Sequence, residues 1–369
     1  MNQSMQSRVE ALRQKLAEKS LDALMVLVEE NRRYLSGFSG EDGQFDESAG
    51  ALFITHDRLL LATDSRYELQ AAKEADDWEV FCYKQGVVKA MPEITSMLAI
   101  RRLAFESRRI SFKQYTEMQK KFDTPSAGVE LVPTENMVED IRLVKQEIEL
   151  QATRRAIAVA ELAFKKMKGM LQPGMTEKEV AWTLEKNMRD AGADSLSFPT
   201  IVASGPNSAL PHAIPTTRRI KTGEPILFDW GARLDGYCSD TSRTMVIGEP
   251  QEPFRRVFDT VVKAQQKAIA AIHAGASTKL VDSQARRHID AQGFKGRFGH
   301  ALGHGTGLMV HEPPRLSPLN DTLLAEGMLV TVEPGIYIPA WGGVRVENQV
   351  VVRRDKAEVL TGLDVNFKI

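Results

Sequence analysis

The stretch FDWGARLDGYCSDTSRT, residues 228–244, constrains the fold more than any other segment of this 369-residue chain. Its Asp235-Gly236 pair is what a type I′ hairpin demands, because both central residues take φ > 0 and glycine does so without steric cost. With those two as the turn, Leu234 faces Tyr237, Gly231 faces Asp240 and Asp229 faces Ser242. Side chains alternate along a strand, so Asp229 and Asp240 share one face as diagonal neighbours, roughly 7–8 Å apart at the backbone. The apolar run Pro225-Ile226-Leu227-Phe228 leads straight into the first of them. A carboxylate ending such a strand needs a hydrogen-bonded partner, a proton or a cation, because burying it alone costs several kcal/mol or more. For the hairpin by itself the ordinary reading is a turn aspartate and an ion pair between Asp240 and Arg243 or a nearby lysine.

A second acidic pair lies downstream, Glu333 in LVTVEPG and Glu347 in GGVRVENQVVV. Alternation places Glu347 in mid-strand with Arg345 on its own face, so an Arg345–Glu347 ion pair is the ordinary alternative to a ligand role. Three of the seven histidines, His300, His304 and His311, fall in GHALGHGTGLMVH. Glycines at 299, 303, 305 and 307 argue against a helix there and open the backbone to close approach. Four acids and one imidazole balance two divalent cations, and mostly oxygen donors favour a hard or borderline metal such as manganese. Two close cations that lower the pKa of a shared water suit hydrolysis.

Elsewhere the chain alternates strand and helix. Residues 23–27, 51–54 and 58–62 read as strands and 65–75 as a helix, with strand–helix alternation through 102–122. Ser7 and Ser111, each followed three residues later by Glu or Gln, read as capping boxes at helix starts. Residues 136–170 form one long helical pattern, and the domain boundary is placed near its start, giving 1–137 and 138–369. The second domain carries a faint repeat. Gly174, Lys178, Val180 and Gly192 recur as Gly275, Lys279, Val281 and Gly293, each set marking a capped helix; Gly223, Asp229 and Gly231 recur as Gly327, Glu333 and Gly335.

A formal net charge of −1, with both signs mixed along the chain, leaves no footprint for nucleic acid or an anionic membrane. Two distant cysteines, Cys82 and Cys238, exclude a disulfide framework, and the charged amphipathic first twenty residues lack the apolar stretch of a leader. A cytoplasmic enzyme without a membrane span is expected.

The spacing from DWGARLDGYCSDTSRT through HALGHGTGLMVHEPP and VEPGIYI to GGVRVENQVVV resembles the pita-bread metallopeptidases of family M24, in the Xaa-Pro aminopeptidase and Xaa-Pro dipeptidase (prolidase) branch. The likeness covers essentially the whole chain, with NRRYLSGFSG similar to part of that branch's creatinase-type amino-terminal domain. The resemblance implies an α/β (α+β) chain: a creatinase-type α/β domain followed by a pita-bread catalytic domain. It makes Asp229 a ligand of one metal, Asp240 and Glu347 bridges between two, and His304 with Glu333 the rest of the other site. Glu333 also handles the proton of the shared water. His212, in SFPTIVASGPNSALPH, matches a substrate-side histidine, His311 one that assists the scissile carbonyl, and His300 and Arg345 fall on pocket positions. Two departures stand near ligands: Ser242 where threonine is common, and Asn348 where an aspartate often follows the bridging glutamate. They touch hydrogen bonding around the site and leave the ligand set intact.

The implied function is a dinuclear exopeptidase, manganese first and cobalt, iron or zinc as alternatives, that removes the residue ahead of proline from a peptide. The dipeptidase is the alternative within this chemistry; a metal-free creatinase-like amidinohydrolase or binding protein is the alternative outside it. A homodimer is expected from the resemblance.

Overall fold

In the computed structural model, which describes residues 3–44, 47–123 and 128–368, the Asp235-Gly236 turn forms with φ of 52° and 82° at its two central residues. Leu234 pairs with Tyr237 and Asp229 with Ser242. The register set by a two-residue turn therefore holds along both strands.

The chain falls into two compact units, 1–142 and 143–369. The first is a six-stranded mixed sheet in the order Glu79–Cys82, Leu59–Thr63, Gly50–Thr55, Ala23–Val26, Arg102–Glu106, Glu130–Thr134. Gly50–Thr55 runs antiparallel to both its neighbours, while Ala23–Val26, Arg102–Glu106 and Glu130–Thr134 are mutually parallel. Met25, Phe53, Leu103 and Phe105 from the sheet pack with Met91, Ile94 and Met118 from the helices Val87–Met97 and Phe112–Phe122. Ser111 caps the second helix, accepting from the Gln114 amide at 3.2 Å while the Gln114 side chain accepts from Ser111 N. The expected box at Ser7 does not form. Ser7 lies inside the helix Gln3–Glu18 and its hydroxyl donates to Ser4 O, because the apolar spacing of Val9, Leu12 and Leu16 continues from a start further upstream.

The helical pattern over 136–170 is also two elements, Glu139–Arg142 and Glu147–Met170. Between them Val144 bridges Met328, Lys145 N donates to Gly327 O, and extended Gln146 donates to Glu149 Oε2 at 3.0 Å to open the second helix. Strand-like pairing across the sequence outcompetes local helix propensity there.

In the second unit each of two helix pairs lies against one sheet. Glu147–Met170 and Glu177–Asp190 bury Ala160, Phe164, Val180 and Leu184 against Val202, Phe228 and Trp230. Phe254–Ala270 and Thr278–Ile289 bury Val257, Val261, Val281 and Ala285 against Val330, Val332, Val350 and Val352. The repeat is visible at its glycines: Gly174 and Gly275, Gly192 and Gly293, Gly223 and Gly327 all take positive φ, between 84° and 102°. Thr176 and Ser277 are the matching helix caps. Because Phe228 and Trp230 point into one core and Val330 and Val332 into the other, alternation turns Asp229, Thr331 and Glu333 to the faces away from the helices. That is where the acids meet.

Candidate metal centre

Asp240 stands immediately before the strand Thr241–Met245, His304 at the middle of Gly303–Gly305, and Glu347 between Gly342–Arg345 and Asn348–Val352. All three are buried, and one ligand atom from each lies within 4.8 Å of the others. His304 Nε2 is 3.6 Å from Asp240 Oδ2 and 3.4 Å from Glu333 Oε1. His304 Nδ1 sits 2.9 Å from Gly305 O, an arrangement that puts the ring proton on Nδ1 and leaves Nε2 as a lone-pair donor toward the acids. Thr331 Oγ1 reaches Glu333 Oε1 at 3.3 Å and accepts from His304 N at 3.1 Å, so one hydroxyl ties two of these residues together.

The hydrogen bonding around the acids is one-sided. Asp229 Oδ2 accepts from Arg345 Nη2 at 2.6 Å and Glu347 Oε2 accepts from Ser242 Oγ at 2.8 Å. Asp229 Oδ1 and Glu347 Oε1 are buried and have no hydrogen-bond partner among the described residues. Buried carboxylate oxygens are ordinarily satisfied, and two orphans within one acidic cluster fit a cation better than they fit a finished hydrogen-bond network. Electrostatics agree. Burial, then Glu347, Asp229 and Glu333, raises Asp240 well above the usual carboxylate range; burial, then Glu333 and Asp229, does the same to Glu347. Burial pushes Glu333 to about 8, with Asp229 adding to it and Arg345 opposing. Burial also lowers His304 to about 4. An oxygen-rich set with one imidazole, short of positive charge, suits divalent metal.

Two ion pairs open on sequence do not form. Glu347 is not in mid-strand: pairing with Gly335–Ile338 ends at Arg345, and pairing with Leu329–Val332 begins at Asn348, so Val346 and Glu347 span a switch between sheets. Strict side-chain alternation does not run across that break. Arg345 instead gives Nη2 to Asp229, Nε to Ser242 Oγ at 2.8 Å, and Nη1 to Tyr337 Oη at 2.8 Å and Pro211 O at 3.0 Å. Arg243 directs its donors to the carbonyls of Ser242, Glu347, Leu363 and Asp364 and to Asn348 Oδ1, leaving Asp240 to the cluster.

The other histidines gather nearby. The rings of His304 and His311 meet edge to face at 4.4 Å, with His311 exposed. His300 has Nε2 2.9 Å from Tyr337 Oη and Nδ1 2.8 Å from Ala301 O, and burial, then the positive charge of Arg345, brings it to about 4. His212 is exposed.

Several supporting residues escape a reading of the sequence. Gln265 of the helix Phe254–Ala270 donates from Nε2 to Val332 O and Val346 O, both at 3.1 Å, and so pins together the residues preceding Glu333 and Glu347. The only hint was a polar side chain four residues from Val261 on an apolar helix face. Tyr337 was visible in principle, two alternations along the extended chain from Glu333. A buried pair, Lys145 Nζ to Glu312 Oε2 at 2.8 Å, together with Met309 N donating to Glu312 Oε1 at 3.0 Å, braces the segment that carries His311; nothing local predicts it.

Residues 151–354 match the profile of metallopeptidase family M24, and residues 8–144 that of the creatinase/prolidase N-terminal domain. The chain belongs to metallopeptidase family M24. An uncharacterized peptidase of Bacillus subtilis, YqhT, is 36% identical over 354 residues, 96% of this chain and 97% of that one. Among solved structures, a Xaa-Pro dipeptidase from Bacillus anthracis superposes with a TM-score of 0.92 at 36% identity, covering 99% of this chain and all of that one. An X-Pro aminopeptidase from Thermotoga maritima superposes with a TM-score of 0.88 at 36% identity, covering 98% of this chain and 100% of the other. The M24 chain thus has a creatinase-type α/β domain and a pita-bread catalytic domain, and it is a metal-dependent hydrolase of peptides. No described helix is long and apolar enough to cross a membrane.

Proposed function

We propose that this M24 enzyme hydrolyses the peptide bond between an amino-terminal residue and a following proline. The observation that carries the reading is the convergence of Asp240, His304 and Glu347, with orphaned oxygens on Asp229 and Glu347, inside a chain whose solved neighbours are named for Xaa-Pro substrates. In this proposal Asp229, Asp240, His304, Glu333 and Glu347 hold two divalent ions, manganese first and cobalt, iron or zinc otherwise. Such ions would supply Lewis acidity toward a carbonyl oxygen and toward water.

The remaining steps belong to side chains. Glu333, oriented through Oε1 by the Thr331 hydroxyl, takes up a proton and returns one to the leaving nitrogen. His311, exposed beside His304, donates toward the scissile carbonyl oxygen. His212, His300 and Arg345 form the substrate side. Proline needs a dedicated site because its tertiary amide has no N–H and its ring fixes φ.

The aminopeptidase and dipeptidase readings are equally supported, one by each solved neighbour at 36% identity. Hydrolysis of Ala-Pro compared with Ala-Pro-Ala decides between them: turnover confined to the dipeptide makes the enzyme a prolidase. Full turnover of either after complete metal removal would sink the metallopeptidase assignment of these residues. The same proposal takes 1–137 as the creatinase-type domain and 138–369 as the catalytic domain, and the enzyme as a cytoplasmic homodimer, the last checked by sedimentation.

A further inference from the structure

Glu177, the first residue of the helix Glu177–Asp190, is fully buried. An acidic residue at this position usually serves the helix dipole from the surface. This one is instead surrounded by donors from a single loop. Oε1 accepts from Ser204 N at 2.7 Å and Ser204 Oγ at 2.9 Å. Oε2 accepts from Thr216 N at 3.0 Å and Thr216 Oγ1 at 2.6 Å, and Asn207 Nδ2 lies 3.1 Å from both oxygens. The carboxylate therefore clamps the two ends of the segment 204–216. That segment carries His212, and the carbonyl just before it, Pro211 O, accepts from Arg345 Nη1. The segment carrying His212 is thus held at both ends by Glu177 and, at Pro211, by the guanidinium that also holds Asp229.

The repeat supplies an internal comparison. Thr278 follows the cap Ser277 as Glu177 follows the cap Thr176, and the bridges Thr176–Arg219 and Ser277–Leu323 correspond. Thr278 is equally buried, and among the described residues its hydroxyl makes two bonds, donating to Asn320 O at 3.1 Å and accepting from Thr322 N at 3.0 Å. In the second half a hydroxyl stands at that place and closes the loop onto Asn320 and Thr322. The half that carries His212 has a charged acceptor at the same place, and bonds to an ionised acceptor are stronger and shorter.

We propose that Glu177 is a positioning residue for His212, setting the loop 205–215 so that the imidazole faces the substrate; this rests on the substrate-side role proposed above for His212. Glu177 touches no ligand of the metal centre in this assignment, so its loss leaves metal content unchanged.

The test is a double-mutant cycle of Glu177→Gln and His212→Ala, with kcat and KM measured on Ala-Pro or Ala-Pro-Ala, whichever is turned over, and with metal content determined by mass spectrometry. Glu177→Gln is expected to lower kcat/KM about 10–100-fold, the scale of a misplacement on the order of 1 Å, with full metal content. In the His212→Ala background the same change is expected to have an effect within about twofold, because there is no imidazole left to place. Equal losses in both backgrounds, or no loss in the single variant, would overturn the inference while leaving the role of His212 intact. Wild-type activity in His212→Ala would overturn that role and this inference together, and chelator-sensitive turnover would still support the peptidase. Thr216→Val, which removes the 2.6 Å hydroxyl bond to Glu177 together with the bonds that hydroxyl accepts from Arg218 N and Asn207 Nδ2, runs the same cycle if Glu177→Gln does not fold.

Discussion

Arg345 holds Asp229 by one oxygen only: Nη2 lies 2.6 Å from Oδ2, and Oδ1 is buried without a partner among the described residues. The same planar fork engages Ser242 through Nε, and Tyr337 and Pro211 through Nη1. Arg345→Lys keeps the charge and loses the fork. It is expected to weaken metal retention about 10–100-fold and to lower kcat/KM with it, as read by chelator competition and steady-state kinetics. Unchanged metal retention would show that Asp229 is oriented without it.

Gln265 joins the two strand ends that carry Glu333 and Glu347 through bonds to Val332 O and Val346 O. Gln265→Leu keeps the side chain's approximate shape and removes both bonds. The expected loss is about 1–3 kcal/mol of stability, seen as a lower urea midpoint, accompanied by weaker metal retention. A midpoint shift with retention unchanged would separate the structural bond from the site.

Removal of metal is expected to abolish turnover, with restoration by Mn, Co, Fe or Zn salts ranking the metals. Glu347→Gln is expected to lose metal and yet to raise the melting temperature of the metal-free protein, because it removes one of several like charges buried together. Relief on the order of 1 kcal/mol corresponds to about 2–4 °C. A metal-free variant that melts below metal-free wild type would mean that the acids are compensated within the fold.

Glu106, in the first unit, accepts from Leu27 N at 2.6 Å, Val28 N at 2.7 Å and Asn31 Nδ2 at 2.6 Å, and burial raises it from 4.5 to about 7. The folded state then holds the proton more tightly than the unfolded chain. Stability of this unit is expected to fall as pH rises from 4.5 to about 7 and to level off above that. Amide exchange over residues 23–28 and 102–106, corrected for intrinsic rates, reads the slope. Glu106→Gln is expected to flatten it, and an equal slope in the variant would assign the pH dependence to other groups.

Among these features the hairpin was the most legible in sequence. Asp235-Gly236 fixes a turn two residues long, and strand alternation then places Asp229 opposite Ser242 with no reference to the rest of the molecule. The cap at Ser111 and the glycines of the repeat were legible for the same reason, since capping and positive φ are decided within a few residues. The box at Ser7 and the unbroken helix over 136–170 were local readings too; the first failed because the helix starts further upstream, the second because Gly327 and Met328 offered the backbone at 144–145 a better partner.

The sequence by itself determined which acids and histidines were available and which face of the hairpin two of them share. Only the tertiary structure decided that Arg345 pairs with Asp229 rather than Glu347, that Glu347 sits where the chain passes from one sheet to another, and that Gln265 and Glu177 brace the residues around the site. Those choices depend on which strands and helices lie side by side. Partners separated by 116 positions, as Arg345 and Asp229 are, leave no periodic trace in the chain between them.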